Sequence, residues 1–455
     1  MKRYWLIIIT SLLLVVTGII VKQWHVWFGN QPEASYVVPD RPDRITLTFG
    51  EQALSQRTVT WRCDTVLRPS YLLLASDNQD TIRIPAEGTL VASRAGIQAF
   101  YEVHLDSLLE NKAYSFQIQS GLAYSDWSHF RTASASDSLH FLLFGDLQDE
   151  HLEPSKSLFN QAVEKYPLID FVAFVGDIIE RPMDKYWQIV YETIDTVSGN
   201  RPIVACTGNH EYLKGVVKKL DSRWIHTFSN PHNGPECAMG RSYYIDFQNL
   251  RYVILDTDGL QFFTDYLATR RWLSHVLESN EKRWTIVVMH HPLYSASIGR
   301  NNVLMRWCFQ SVLEKHQVDI VFAGHDHSFA RRNTRDSDGT STTPVYFLTT
   351  FSEKKYLSNC DLSAQKIGCG HRLYQYVTSS NNQLHVQSYL AESHILYDDV
   401  EITYLNGHKK LIDAEGNRIP ELIDLPQTYE ASSSSKVNKF YKKRAARQSK
   451  LSLMP

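Results

Sequence analysis

Between Arg44 and about Thr132 the chain alternates apolar and polar residues in short runs with turn residues between them. The runs are Ile45-Thr46-Leu47-Thr48, Thr58-Val59-Thr60-Trp61, Tyr71–Leu74, Tyr101–Leu105 and Tyr114–Ile118. A period of two over so few residues predicts strands with one buried face, and this spacing predicts a β-sandwich. Trp61 reads as a core tryptophan on an early strand. From Leu139 the pattern changes. Continuous apolar runs at Leu139–Phe144, Phe171–Val175, Pro202–Ala205, Thr285–Met289 and Ile320–Ala323 predict strands buried on both faces. Between them, helical periodicity is expected near Ser155–Lys165, Met183–Val197, Asp265–Ser279 and Val303–His316. Ser242–Phe247 and Arg251–Asp256 read as a hairpin turning at Gln248-Asn249, and later strands are expected near Val345–Thr349, Tyr374–Thr378 and His385–Tyr389. Strands alternating with helices predict a layered α/β fold with a mixed sheet or two stacked sheets flanked by helices.

The first residues follow neither pattern. Lys2 and Arg3 precede an uncharged run of 18 residues, Tyr4–Val21. That is nearer the length of a membrane span, about 20 residues, than of a signal-peptide core, about 7–15. The best cleavage site, Val16-Thr17-Gly18, is poor, and Trp24, Trp27 and Phe28 sit where an interfacial aromatic belt belongs. An uncleaved membrane anchor is therefore favoured over a cleaved signal peptide. By either route the basic N-terminus stays in the cytoplasm and the rest is exported, to a periplasmic or extracellular location.

Four regions result: an anchor or signal over 1–29, a β-sandwich over 40–133, an α/β domain over 138–392 and a C-terminal extension over 393–455. The extension reads as loosely structured over 398–428. The serine run Ser432–Ser435 and the basic stretch Lys436–Lys450 read as a disordered, solvated tail, favoured over a membrane-binding arm. Hydrophobic content of 43% over 455 residues suits large cores, and a net charge of −2 argues against nucleic acid as the main partner. None of the six cysteines forms a CxxC pair, which disfavours a zinc ribbon. Cys360 and Cys369 are near enough in sequence to close a small disulfide loop in an oxidising compartment.

The chemistry lies at the strand ends. The apolar runs stop in Gly145-Asp146-Leu147-Gln148, Gly176-Asp177, Gly208-Asn209-His210-Glu211, His290-His291-Pro292 and Gly324-His325-Asp326-His327. One such Asp after Gly is usually a helix cap or a turn residue. Five clusters at successive strand ends, where open α/β sheets bind ligands, are not explained by capping. They supply carboxylates, an amide and imidazoles, a donor set that suits hard or borderline metals and is large enough for two ions. Two ions about 3.5–4 Å apart can hold a bridging hydroxide nucleophile and stabilise displacement at phosphorus.

In this order the motifs resemble the calcineurin-like metallophosphoesterase superfamily, and the preceding sandwich makes the chain most similar to the purple acid phosphatases. The region around Leu108 and Tyr114 likewise resembles the tyrosine corner of fibronectin type III domains. The resemblance covers roughly residues 40–390. It implies a fibronectin III-like sandwich followed by a metallophosphoesterase domain with two metal ions (iron, manganese, zinc or magnesium). It implies Asp146 and His327 at the first metal, Asp177 bridging, and Asn209, His290 and His325 at the second. His210 would protonate the leaving alkoxide or stabilise the transition state, with Glu211 tuning its charge. Two positions depart from the family pattern. Glu180 stands where purple acid phosphatases carry a metal-bound tyrosine, and Gln148 stands where many members have a histidine. Either Gln148 or Glu180, or water, would then complete the first site. His291 and Arg300 are candidates for contacting substrate phosphate, although a solvated surface arginine is the favoured reading of Arg300. Asp256 and Asp258 read as structural.

The function expected is an exported, anchored two-metal phosphoesterase that hydrolyses phosphomonoesters by attack of a metal-bridging hydroxide. A phosphodiesterase of the same superfamily is the runner-up. A non-catalytic binding protein would be favoured by the loss of His210 or Asp177, and both are present.

Overall fold

The computed structural model describes residues 2–455 apart from 77–79, 134–137, 335–340, 342–343, 406–407, 414–417, 431–433 and 453–455. Ser432 and Ser433 of the serine run, and the side chains of Lys2 and Arg3, lie outside the described residues. A single helix, Lys2–Phe28, opens the chain, and its apolar window Ile8–Phe28 has none of its residues buried.

The sandwich follows as expected. One sheet has the order 43–49, 57–62, 96–105, 87–93. The other has the order 82–85, 70–76, 113–120, 123–124, with 128–131 also paired to 113–120. Alternate residues meet between the sheets, among them Leu47, Val59, Leu72, Phe116 and Ile118. Trp61 is fully buried, stacks on Tyr101 at 5.7 Å and donates its indole N–H to Ser120 Oγ at 3.2 Å. The tyrosine corner is present: Leu109 N–H donates to the Tyr114 hydroxyl at 2.9 Å.

The rest of the fold is two stacked seven-stranded mixed sheets. The first runs 203–205, 171–174, 139–144, 373–379, 383–390, 396–405, 408–413. The second runs 243–247, 250–255, 284–289, 320–323, 345–348, 329–332, 366–368. Strand alternation explains the layers. Phe141, Leu143 and Ala173 meet Ile254, Val288 and Phe322 between the sheets. Leu142, Phe144 and Val172 instead face outward, beneath residues of the helices Ser155–Lys165 and Asp184–Ser198. The second sheet is covered by Phe263–Glu278 and by the helical stretch 303–315, in which Arg306–Gln310 forms a π-turn.

A buried ion cluster joins the sandwich to the α/β layers. Asp184, at the start of its helix, takes Arg44 at 2.9 Å, Arg62 at 3.2 Å and Arg223 at 3.4 Å, and Arg223 also pairs with Glu33 at 2.6 Å. Burial alone would push the Asp184 carboxyl up. The charges of Arg44 and Arg62, with hydrogen bonds from Arg44 and Gln98, outweigh it and hold the carboxyl at about 2.

Two expectations for the C-terminal part are corrected. The extension is not loose, because 396–405 and 408–413 are the last two strands of the first sheet. The basic stretch is not a disordered, solvated tail. Residues 435–451 form a helix capped by Ser434, and Val437, Phe440 and Arg447 are buried. Arg447 sits in a ready-made acceptor site, bonding both Glu421 oxygens at 2.5 and 2.7 Å and the carbonyl oxygens of Asp361 and Ala364. Cys360 and Cys369 are free, buried thiols rather than a disulfide. Their sulfurs turn to different backbone carbonyls, those of Ser358 and Tyr356.

Candidate metal centre

The strands 139–144, 171–174 and 203–205 are parallel in one sheet, and 284–289 and 320–323 are parallel in the other. Their polar endings therefore collect at one edge of the stack. The turns that deliver them are tight. Asp146, Asp177, His325 and His327 adopt φ values of 44°, 48°, 73° and 46°. Left-handed backbone at a non-glycine residue costs about 1–3 kcal/mol, so the surroundings must hold each turn in place. Gly208 shows how closely two of the loops meet. A Cβ there would lie 2.3 Å from both the amide nitrogen and Oδ1 of Asp177.

Asp177 is common to two groups of donors. It lies with His290 and His325 in one and with Asp146 and His327 in the other, each group having ligand atoms within 4.8 Å of one another. His290 Nδ1 donates to the Val175 carbonyl at 3.0 Å, so its Nε2, 3.1 Å from Asp177 Oδ2, is the free ligand atom. His325 Nδ1 is 3.2 Å from His290 Nε2, and the His325 amide donates to Asp146 Oδ1 at 2.8 Å. Asp146 Oδ2, Asn209 Oδ1, Gln148 Oε1 and His327 Nδ1 are buried with no hydrogen-bond partner. Buried polar atoms are rarely left orphaned. Burial, with repulsion from Asp177, pushes the Asp146 carboxyl up to about 8, while burial holds the His325 and His327 imidazoles neutral. An oxygen-rich set of orphaned acceptors with neutral imidazoles fits hard or borderline metal cations, which would supply the missing positive charge.

The Asp and His residues expected to ligate a metal all fall in these two groups, and Gln148 adjoins them with its Nε2 3.1 Å from His327 Nε2, while Asn209, with its unpartnered Oδ1, lies on the loop whose His210 amide bonds Asp177. Glu180 is in neither group. Its carboxylate, one of the three alternatives for completing the first site beside Gln148 and water, is held by Lys354 Nζ at 2.5 and 2.7 Å. His210 stands at the rim. Its amide donates to Asp177 Oδ1 at 2.8 Å, its Nδ1–H donates to the Glu180 carbonyl, and its Nε2 is 4.0 Å from Asp177 Oδ2.

Glu211 does something the sequence reading did not foresee. Its carboxylate accepts backbone N–H bonds from Gly208 at 2.6 Å, Ile178 at 2.8 Å, Asp177 at 3.0 Å and Ile179 at 3.2 Å. With its acceptors thus occupied, it ties the Asp177 loop to the Asn209 loop. Arg300 is not a solvated surface residue. It pairs with Asp326 and donates to the His325 carbonyl at 3.2 Å, bracing the loop that carries two imidazoles. His291 lies beside His325, ring centroids 4.4 Å apart, and 3.1 Å from Thr257 Oγ1.

Asp256 is structural, accepting from Thr207 Oγ1 at 2.8 Å and the Tyr212 hydroxyl at 2.6 Å. Asp258 is less ordinary: both of its carboxylate oxygens are buried without a hydrogen-bond partner, and burial pushes it up to about 8. Sequence reasoning missed Lys354 and Tyr356. Both line the cleft over Asn209 and His210, and Tyr356 packs on His327 with ring centroids 4.6 Å apart. They lie between the predicted strands Val345–Thr349 and Tyr374–Thr378, outside the five strand-end clusters, and no spacing signal points to them.

Fold and donor set together define a metal-binding site at the shared edge of a two-sheet α/β sandwich. Residues 139–329 match the family model for calcineurin-like phosphoesterases. Its relatives by sequence include purple acid phosphatase 4 of Arabidopsis thaliana, 28% identical, aligned over 47% of this chain and 67% of that protein. A protein named Fe(3+)-Zn(2+) purple acid phosphatase 12 from the same plant is 23% identical over 64% of this chain and 65% of its own length. A phosphoenolpyruvate phosphatase of Allium cepa is 26% identical over 50% and 49%. The chain thus spans about half to two thirds of these relatives. In fold it is similar to the purple acid phosphatase PPD1 of yellow lupin, with a TM-score of 0.66, 18% identity and coverage of 88% of this chain and 79% of that one. It is also similar to PhoD, at a TM-score of 0.59, 13% identity and coverage of 91% and 100%. In sequence and fold, then, the chain is purple acid phosphatase-like.

Proposed function

We propose that this protein is a metal-dependent phosphoesterase that hydrolyses phosphomonoesters with two cations sharing Asp177. The observation that carries the reading is the set of orphaned buried atoms on Asp146, Gln148, Asn209 and His327, with Asp146 and His327 grouped on Asp177, Gln148 against His327, and Asn209 on the loop bonded to Asp177. Asp146, His327 and Gln148 would hold one cation, and Asn209, His290 and His325 the other. When bound, the cations supply positive charge against the phosphoryl oxygens and lower the pKa of water.

The protein's own groups do the rest. With its Nδ1–H committed to the Glu180 carbonyl, His210 presents Nε2 to the cleft, and in its doubly protonated form it would pass the Nε2 proton to the leaving oxygen, returning to the Nδ1–H tautomer. Glu211 keeps the two loops in register, and Arg300 steadies the His325–His327 turn. The cleft, about 460 Å³, is lined by Arg94, Arg181, Lys214 and Lys354 against one carboxylate, Glu180, and this net cationic rim favours a dianionic monoester over a monoanionic diester.

The same reading puts the domain outside the cytoplasm, held by the helix Lys2–Phe28. That helix has 27 residues and is about 40 Å long, which matches a bilayer with its headgroup layers, about 40–45 Å. Alkaline extraction of membranes tests the anchor: the chain should stay with the lipid, and release would refute it. Turnover of p-nitrophenyl phosphate beside its bis ester, with manganese, iron, zinc or magnesium, tests the reaction. Faster monoester turnover is expected. Preference for the diester would move the function to the phosphodiesterase, and no turnover on either would point to a binding role.

A further inference from the structure

The end of the N-terminal helix and the catalytic cleft are nearly the same place. The helix stops at Phe28, and the next three residues, Gly29, Asn30 and Gln31, line the cleft that contains His210. They are fixed there. Asn30 Nδ2 donates to the Lys214 carbonyl at 2.8 Å, the Lys214 amide donates back to Asn30 Oδ1 at 2.9 Å, and Lys214 Nζ reaches the Val26 carbonyl at 3.4 Å. Three extended residues span about 10 Å at most. A headgroup layer is about 5–8 Å thick. The cleft therefore cannot leave the membrane surface.

The surface beside that tether is apolar. Val216, two residues past Lys214, is 74% exposed, and Val217 is exposed beside it. The Gln261 side chain, bonded to the Lys218 backbone at 2.8 Å, brings Phe262 and Phe263 alongside, and Phe263 stacks on exposed Trp307 at 5.7 Å. A second cleft of about 590 Å³ opens among them. Its inner wall carries His291 and buried Asp258, beside the metal-ligand cluster, and its outer wall carries exposed Val216, Val303 and Leu304. A space polar at its catalytic end and apolar at its mouth suits an amphiphile, not a sugar phosphate.

We propose that this face docks on the lipid leaflet in which the N-terminal helix ends, and that the substrate is the phosphate headgroup of a membrane lipid. The proposal rests on the phosphoesterase and anchor readings above. Cationic Arg94, Arg181, Lys214 and Lys218 around the two clefts fit an anionic headgroup layer.

The test uses the full chain reconstituted in phosphatidylcholine vesicles containing phosphatidic acid, a lipid phosphomonoester. Phosphate release from the lipid is measured beside turnover of p-nitrophenyl phosphate on the same vesicles. Phe263→Glu with Trp307→Glu, which lie outside both clefts, should cut lipid turnover at least about tenfold and leave soluble-ester turnover unchanged. Unchanged lipid turnover in that variant would overturn the docking face. Hydrolysis of the soluble ester with none of the lipid would overturn the substrate class and leave the phosphoesterase standing. Failure on both esters with every metal would refute the phosphoesterase and this inference together.

Discussion

The backbone amide of His210 donates to Oδ1 of Asp177 at 2.8 Å, so the candidate proton donor and the carboxylate shared by both donor groups are held in one fixed relation. The imidazole is not itself in either donor group. His210→Ala should therefore leave metal content unchanged while lowering turnover by about 10²–10⁴-fold, the usual worth of one proton-transfer group. Elemental analysis beside steady-state kinetics checks this, and equal turnover would remove His210 from the reaction.

Glu211→Ala should act through structure. It strands four buried N–H groups that now bond a carboxylate, and bonds to a charged group are worth about 1.5–3 kcal/mol each when made. A stability loss of about 3 kcal/mol or more is expected in urea unfolding, together with weaker metal retention as the Asp177 and Asn209 loops separate. Glu211→Gln should recover part of both. Full stability in the alanine variant would contradict the clamp.

Acid should loosen the joint between the sandwich and the α/β layers. Asp184 is held at about 2 in the fold, below its ordinary value of 3.8. A depressed carboxyl contributes stability that is fully present above its unfolded pKa and is lost as pH falls through its folded one. The window is thus about pH 4 to 2, and the contribution is about 2 kcal/mol, at 1.36 kcal/mol per pH unit. Asp184→Asn leaves Arg44 and Arg62 facing a neutral partner and should destabilise strongly at pH 7. The gap between variant and wild type should narrow as pH falls below 4. Urea midpoints across that range test it, and a constant gap would assign the acid sensitivity elsewhere.

Much of the candidate metal centre is legible in the sequence because its candidate ligands follow apolar runs at strand ends, a local signal. Asp146, Asp177, Asn209, His290, His325 and His327 all have it. What fails is whatever depends on distant partners. Glu180 looks like a ligand until Lys354, 174 residues later, takes its carboxylate. Asp398 makes the strand 396–405 look too polar to be buried, but Arg331 pairs with it at 2.7 Å. The terminal helix reads as a solvated basic tail because Arg447 is counted among surface charges, whereas Glu421 and two carbonyls bury it. The arginine cluster on Asp184 escapes for the same reason.

Colour separates this site from the relatives called purple. Glu180 stands where the family resemblance implies a metal-bound tyrosine, and Lys354 holds its carboxylate. The iron-loaded protein should accordingly show no visible charge-transfer band. A band that disappears in Tyr356→Phe would mean that Tyr356, packed against His327, coordinates instead.

The central claim is that two cations share Asp177, and metal stoichiometry tests it most directly. Elemental analysis of the full chain purified with manganese, iron or zinc should find about two metals per chain. Asp177→Asn, which keeps the shape and removes the shared charge, should lose most of both. One metal per chain, or two that survive the loss of Asp177, would contradict the account.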